Sequence, residues 1–309
     1  MHDAIQWSKR GARSYDIAGH IKIRRGAYAH PEWWRGLPRY EQYRVRVEVA
    51  SLSLKNPIFA LESAAVFHGL PVFGEPRIHL YSLHAQRTCT RGDVTVHASC
   101  DPREVVTRAG VSVTSLLDTT VDLLRVLPLA LGVAVLDAAL RLGLSLDAVK
   151  HRLRTQASKR GRRQALNAVD LADPRSESVL ESLSRVVIGA LGFRPPELQV
   201  SFRLDEGTSR ADFFWRDVSV VGEADGAVKY DARFGPEVQA IRNERKREVA
   251  LLRVVRRVAR WEWMDVWHPD RLERILTAAG VPRDRPADPH IDRLLRNKRT
   301  RHTIDQLHA

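Results

Sequence analysis

Cysteine is scarce: Cys89 and Cys100 are the two present in 309 residues, which excludes a disulfide framework as the source of stability. Long apolar runs are missing as well. The longest apolar region, 128–142, is broken by Gly132, Asp137 and Arg141, short of the ~18 residues a membrane span needs. The opening "MHDAIQWSKRGARSYDIAGH" has no apolar core followed by a small-residue cleavage site, so no export signal is read there and a cytoplasmic protein is expected. GxSxG, the P-loop and a GxGxxG followed by a suitable acidic residue are all absent, which leaves hydrolase triads, NTPases and dinucleotide enzymes without support. Acidic residues fall short of basic ones, 37 against 50, for a net charge of +13 and a pI near 10.3. For such a chain a polyanion is the expected partner. Hydrophobic residues make up 44%, enough for a core in each of the two domains the length implies, and global disorder is excluded.

The basic excess is dense in three places. "HIKIRRGAYAH" carries Lys22, Arg24 and Arg25; "KHRLRTQASKRGRRQ" carries Lys150, Arg152, Arg154, Lys159, Arg160, Arg162 and Arg163; "RLLRNKRTRH" carries Arg293, Arg296, Lys298, Arg299 and Arg301. Each taken singly also reads as a solvated face. Together they point to nucleic acid, with DNA as the expected partner and Lys22, Arg24, Arg25, Lys159, Arg160, Arg162 and Arg163 as candidate phosphate contacts.

The first fifty residues read as a short helix, a turn and a strand pair around Arg25-Gly26, in the manner of a winged helix-turn-helix. Apolar spacing predicts a helix over 57–69, and "RIHLYS" and "DVTVHAS" alternate with period two as strands. From 111 the period turns helical, with caps expected at Thr114, Pro128 and Ser145; this is a helical connector reaching 172. An amphipathic helix is predicted over 176–191, with Val179, Leu180, Leu183, Val187 and Leu191 on one face. Strands follow at "LQVSFRL", "RADFFW" and "VSVVGEADG", then a long helix over 236–255, a fourth strand at "VARWEWMDV" and a closing helix at "PDRLERILTAAG". The expected segments are thus 1–110, 111–172, 173–280 and a basic, loosely ordered tail, 281–309.

Within that series Asp212 sits in the second strand beside Phe213, Phe214 and Trp215, where an unpaired carboxylate is costly to bury. Glu223 and Asp225 end the third strand two residues apart, so alternation sends both to one face, and Gly226 frees the turn beyond. Carboxylates gathered from adjacent strands are what a hard cation such as Mg²⁺ requires, and Mg²⁺ suits phosphodiester hydrolysis. Glu177 and Glu181, at i and i+4 on the opening helix, complete such a site from the side or else complement the helix dipole. Asp212 and Glu223 also allow a structural reading, less favoured, as partners of Arg210 or Arg247.

The runs "DPRSESVLESLSRVVIGALGFRPPELQVSF", "RADFFW", "VVGEADGAVKYD", "NERKREVALL" and "VARWEWMDV" resemble the C-terminal domain of a large actinobacterial family related to the very-short-patch-repair endonucleases. The resemblance implies an α/β domain of the PD-(D/E)XK (restriction-endonuclease-like) fold with an αβββαβ core. Upstream, "RRGAYA", "ALESAAVFHGLP" and "VTSLLDTTVDLLRVLPLALGVAVLDAALRLG" resemble the AbiEi antitoxin of type IV toxin-antitoxin systems. That implies an α+β N-terminal half with a winged helix-turn-helix. Carried over, Asp212 matches the strand aspartate, Glu223 the acidic residue of the next strand, and Glu177 or Glu181 the helix glutamate; Asp212, Glu223 and Asp225 would hold the metal. The motif lysine is replaced by Asp225, and Lys229 or Lys246 would supply its charge to stabilise the phosphoryl centre. Two functions follow: a Mg²⁺-dependent DNA endonuclease in defence or repair, or a non-catalytic antitoxin-type regulator with a vestigial nuclease fold and a cognate toxin.

Cys89, His97 and Cys100 make a poor zinc set, since one ligand is lacking and there is no CxxC. His68 reads as a capping or core histidine. Trp261 and Trp263, alternating in a strand, read as cover for one sheet face, in preference to base stacking.

Overall fold

The computed structural model describes residues 5–7, 19–74, 77–204, 207–226 and 249–296. The protein is mixed α/β with several sheets, and its chain divides into two compact units. The first unit takes 1–126, 144–162 and 298–309; the second takes 127–143 and 163–297. The chain therefore enters the second unit for one helix, returns, and enters it again, and the helical stretch 111–172 is shared between them. Among the described residues no helix is long and apolar enough to cross a membrane.

In the first unit β1 (Ile5–Trp7), β2 (Ile21–Arg24) and β3 (Ala27–Ala29) form an antiparallel sheet in the order β1-β3-β2. Gly26 has φ +83°, which lets the chain reverse between β2 and β3 at the expected turn. The short helix expected just before Gly19 lies outside the described residues. After α1 (Pro31–Gly36) comes α2 (Arg39–Ser53), buried along two stripes. Val45 and Val49 pack with Ile5, Ala27 and Ala29 of the small sheet. Tyr43, Val47 and Ala50 pack with Phe59, Ala64, Ile78 and Val113.

The latter core belongs to a six-stranded mixed sheet. Its members are β4 (Ile58–Phe59), β5 (Ile78–Tyr81), β6 (Cys89–Arg91), β7 (Val94–His97), β8 (Val105–Arg108) and β9 (Val111–Thr114), in the order β6-β7-β5-β4-β9-β8. The helix expected over 57–69 is α3 (Leu61–His68), preceded by β4 and closed by the left-handed Gly69. His68, at its end, is buried, bonds the Thr114 carbonyl at 2.8 Å, and has its pKa lowered by that burial. Residues 111–114 are a strand, correcting the helical expectation. The cap of the next helix is Ser115, whose Oγ accepts from the Asp118 amide at 3.2 Å. That helix is α4 (Leu116–Val126), and α6 (Leu146–Thr155) opens on Ser145 as expected.

The second unit begins with α5 (Leu129–Arg141), opened by Pro128 and buried from Ala130 through Ala139. It packs on α8 (Val179–Ala190), capped by Ser178, whose inner face presents Leu180, Leu183 and Val187. Asp137 of α5, fully buried, binds Arg185 of α8 at 2.8 Å, Ser182 Oγ at 2.7 Å and the Asp173 amide at 2.7 Å. The helix α7 (Arg162–Leu171) takes in Arg162 and Arg163 of the second basic cluster.

Four strands follow: β10 (Glu197–Leu204), β11 (Gly207–Trp215), β12 (Val220–Ala224) and β13 (Arg257–Trp261), in that spatial order. Pairing is antiparallel up to β12 and parallel between β12 and β13. One sheet face meets α8 through Trp261, whose Nε1 donates to Ser184 Oγ at 2.7 Å. The opposite face packs Ala211, Phe214 and Val221 against Leu251 and Val255. Most of the long helix expected over 236–255 lies outside the described residues. The fourth strand stops at Trp261: Glu262 and Asp265 form a capping box that opens α9 (Trp263–Trp267), so Trp263 is helical and does not alternate with Trp261 on a strand. Then comes α10 (Pro269–Ala279), closed by the left-handed Gly280.

Residues 281–296, expected to be loose, are bound to this unit. Pro282 accepts the Arg194 amide at 2.9 Å, Gly192 accepts that of Asp284 at 2.9 Å, and Ala190 accepts that of Asp288 at 2.7 Å. Leu295 of α11 (Asp292–Leu295) is buried.

Gly222 in β12 has no room for a side chain: a Cβ there would lie 2.5 Å from Trp261 and 3.0 Å from Trp215. Both rings are fully packed and cannot move aside. Gly222→Ala is expected to destabilise the protein by about 1–3 kcal/mol, read as a lower urea midpoint; an unchanged midpoint would contradict this packing.

Candidate functional site

Asp212 stands where the β11–β12 ladder ends. The last paired residues are Phe213 and Gly222, and beyond them the Asp212 Oδ2 accepts the Ala224 amide at 3.0 Å. On its other side Asp212 faces Gln199, between the pairs Leu198↔Phe213 and Val200↔Ala211. Gln199 is held at φ +56°, a left-handed backbone that a residue with a side chain rarely adopts. Its amide nitrogen lies 2.7 Å from Glu181 Oε2 and 3.4 Å from Asp212 Oδ1. Glu181, buried in the first turn of α8, also accepts the Glu177 amide at 2.8 Å.

Glu223 is buried on β12 and faces β13, where its register partner is Arg260. The guanidinium reaches Glu223 Oε2 at 3.0 Å and Asp225 Oδ2 at 3.6 Å, so one cation spans both carboxylates, as their spacing allows. Asp225 is further fixed by its amide, which donates to the Trp261 carbonyl at 2.9 Å. Glu181, Gln199, Asp212, Glu223, Asp225 and Arg260 therefore come from α8 and from all four strands and their ends.

Electrostatics single out Asp212. Burial pushes its carboxyl up to about 6, the Ala224 amide opposes that, and the charges of Glu181 and Glu223 add to it. A folded-state pKa above the unfolded value means that folding favours the protonated form. Stability present below about pH 4 is thus lost as pH rises toward 6. Asp212→Asn keeps an acceptor for the Ala224 amide and removes the titration. The variant should match wild type near pH 3.5 and exceed it by roughly 1–3 kcal/mol at pH 7. Thermal unfolding across that range checks it, and a parallel loss of stability in both proteins would refute it.

Other expected residues are placed differently. Glu177 is exposed, precedes α8 and pairs with Arg210, so Arg210 is no partner of Asp212 or Glu223. Lys229, Lys246 and Arg247 lie outside the described residues. Of the basic candidates, Lys22, Arg25, Lys159, Arg160 and Arg163 are exposed. Arg24 instead binds Asp93 at 2.6 Å, and the Arg162 guanidinium bonds the carbonyls of Gln156 and Ser158. Both cysteines are free and exposed, and His97 Nε2 lies 2.8 Å from His79 Nδ1. Gln199 and Arg260 were not anticipated. An arginine among the apolar residues of "VARWEW" and a glutamine opening "LQVSF" were the available signals.

A divalent cation is implied by the resemblance. Oxygen donors of the right hardness are present, and the charged form of Asp212 is disfavoured first by burial and further by Glu181 and Glu223, a situation a cation relieves. Among the described residues, however, no group of three or more His, Cys, Asp or Glu is disposed around a common point. Asp212 and Glu223 fit the chemistry, while Arg260 already neutralises Glu223 and Asp225.

No family model matches the chain, and no solved structure matches it. It is similar to two proteins of Mycobacterium tuberculosis, the uncharacterized proteins MT2308 and Rv2248, each 29% identical over 170 residues. The similarity covers 54% of this chain and 62% of each of theirs.

Proposed function

We propose that the second unit is a restriction-endonuclease-like domain that hydrolyses DNA phosphodiesters with Mg²⁺, and that the first unit is an AbiEi-like, winged-helix DNA-binding half. The observation that carries the reading is the placing of Asp212 at the end of the β11–β12 ladder, between the Gln199 side chain and the Ala224 amide, where burial, with the charges of Glu181 and Glu223 adding to it, pushes its carboxyl up to about 6. A carboxyl perturbed by burial together with nearby like charges is a candidate functional group. The order α8, β10, β11, β12, β13 with a parallel last pair supports the nuclease-like fold.

Asp212 and Glu223 would hold the cation, with Asp225 beside them; when bound it supplies a Lewis acid that polarises a phosphoryl oxygen and makes a water more acidic. Gln199 fixes the orientation of Asp212 relative to Glu181, and Arg260 keeps the Glu223 and Asp225 carboxylates together. The exposed Lys22, Arg25, Lys159, Arg160 and Arg163 would bind phosphates of the duplex in a cytoplasmic protein.

A second reading is favoured by Arg260 itself. A guanidinium lying on two would-be metal ligands, with Asp225 where the motif has lysine, also suits a vestigial site in an antitoxin-type regulator that binds operator DNA and a cognate toxin. Incubating the purified chain with single- and double-stranded DNA in Mg²⁺ or Mn²⁺ separates the two. Nicking supports the nuclease; binding without nicking on both substrates and in both metals supports the regulator.

A further inference from the structure

Between the last turn of α8 and the segment that follows Gly280 lies a cavity of about 750 Å³, a volume typical of sites that take small organic molecules. Its walls are mostly apolar: Leu129 at the start of α5, Leu171 at the end of α7, Val186 of α8, Leu198 of β10, Pro286, and Leu294 of α11. All belong to the second unit. The segment closing one side is fastened at both ends, since the Asp284 amide donates to the Gly192 carbonyl and the Asp288 amide to that of Ala190, and Pro286 fixes the backbone between them. Gly189 of α8 also lines the cavity. It is helical and not left-handed, and a Cβ there would meet no atom within 4 Å. Neither backbone conformation nor close packing asks for glycine at this position, where it weakens the helix relative to alanine; its missing side chain keeps the cavity open.

Most charged groups on the wall are already answered. Asp173 binds Arg175 at 2.7 Å, Arg185 binds Asp137 at 2.8 Å, and Asp288 Oδ1 accepts the His290 amide at 2.8 Å. Arg285 differs: its Nη2 donates to the Gly189 carbonyl at 2.8 Å, and among the described residues it meets no carboxylate. A guanidinium aimed by one neutral oxygen keeps its remaining donors for an anion. We infer that this cavity is a small-molecule site for an organic acid, whose apolar body, a ring or branched chain, lies against Val186, Leu198 and Leu294 in the space left by Gly189, and whose carboxylate meets Arg285. The planar guanidinium holds both oxygens of a carboxylate in parallel and stays charged at every working pH. The site uses none of Glu181, Asp212 and Glu223 and does not rest on the nuclease reading.

The test uses the full chain as wild type, Gly189→Leu and Arg285→Gln. Each is titrated calorimetrically with phenylbutyrate, octanoate and indole propionate, with phenylbutyramide as the neutral counterpart and phenylbutylamine as the cationic one. At least one acid is expected to bind wild type one-to-one and to raise its melting temperature, because a ligand of the folded state stabilises that state. Arg285→Gln should weaken the acid by about tenfold or more, the usual weight of a hydrogen bond to a charged group, and leave the neutral amide unaffected. Gly189→Leu, whose side chain enters space that no atom occupies, should keep the melting temperature of the free protein and lose the acid altogether. Should Gly189→Leu melt early, Leu171→Trp, at an exposed position on the wall, carries the same expectation. Failure of all three acids to bind wild type overturns the inference. So does an acid whose affinity either substitution leaves unchanged, and so does an amide or amine that binds wild type as tightly as the acids.

Discussion

If the second unit is the proposed nuclease, Asp212→Asn and Glu223→Gln are each expected to lower Mg²⁺-dependent nicking of DNA by about 10²-fold or more, while affinity for the duplex stays within a few-fold of wild type. The asymmetry follows from where the charges are. On that reading DNA would be held by lysines and arginines, most of them in the exposed positions named above, and removing one negative charge from a phosphate-facing site would weaken no such contact. The Asp212 and Glu223 carboxylates, in contrast, are the oxygens a cation would share, and losing one group that stabilises charge at a phosphoryl centre typically costs about 3 kcal/mol. Asp212→Asn has a second signature, since the same substitution removes a half-buried carboxyl that titrates near 6. Slower cleavage by a more stable protein would mark Asp212 as a residue kept for chemistry at the expense of the fold. Undiminished nicking in either variant would remove these two carboxylates from the reaction.

The second large effect concerns the attachment of α5 to α8. Asp137 is fully buried, and that burial raises its pKa above the ordinary carboxylate value even though Arg185, Ser182 and the Asp173 amide all favour the ionised form. Asp137→Ala leaves the largely buried Arg185 guanidinium without its carboxylate, and the Ser182 hydroxyl and Asp173 amide lose their shared acceptor. Breaking a buried pair from one side costs about 3–5 kcal/mol, so the urea midpoint should fall by a large part of the whole transition. A loss under about 1 kcal/mol would mean that water or neighbouring groups take over these bonds.

Much of the second unit is legible in the sequence because its periods are unmixed. The helix at 179–190 buries the predicted stripe of Leu180, Leu183 and Val187 together with residues beside it, and β10, β11 and β12 are separated by short turns, so each lies close to where its pattern places it. Errors arise where one local pattern serves two ends. In "VARWEWMDV" the tryptophans keep a period of two past Trp261, yet Glu262 and Asp265 satisfy the free amides of a helix start, and that local pairing ends the strand. In α2 the run Val45, Val47, Val49 alternates as a strand would, but the two sets of valines serve two different cores on opposite sides of one helix. Strands β5 and β7 are neighbours in space but parallel, because β6 intervenes and makes the hairpin with β7 instead.

The site divides in the same way. Asp212, Glu223 and Asp225 were visible as acidic residues at strand positions, where each needs a reason to be present. Glu181 could not be told from Glu177 until the cap at Ser178 fixed the start of α8 and turned Glu181 inward and Glu177 out to Arg210. Arg260 was invisible as a partner of Glu223 because a parallel register joins residues far apart in sequence, and nothing near either of them specifies it. Gln199 gains its role from a left-handed backbone that no residue-type preference signals.

The passage of the chain into the second unit at 127–143, back to the first at 144–162, and out again has a consequence for synthesis. A ribosome delivers α5, apolar almost all round, before α8, the helix that covers Asp137, has been made, and the strap at 282–295 that closes against α8 comes near the end of the chain. Domains generally assemble in the order they emerge. Here the first unit cannot close before 162 is out, and α5 must wait, exposed, for partners still to be translated. The nascent chain carries this apolar helix uncovered during that interval, and no single cut of the gene would give two fragments that each contain one whole unit.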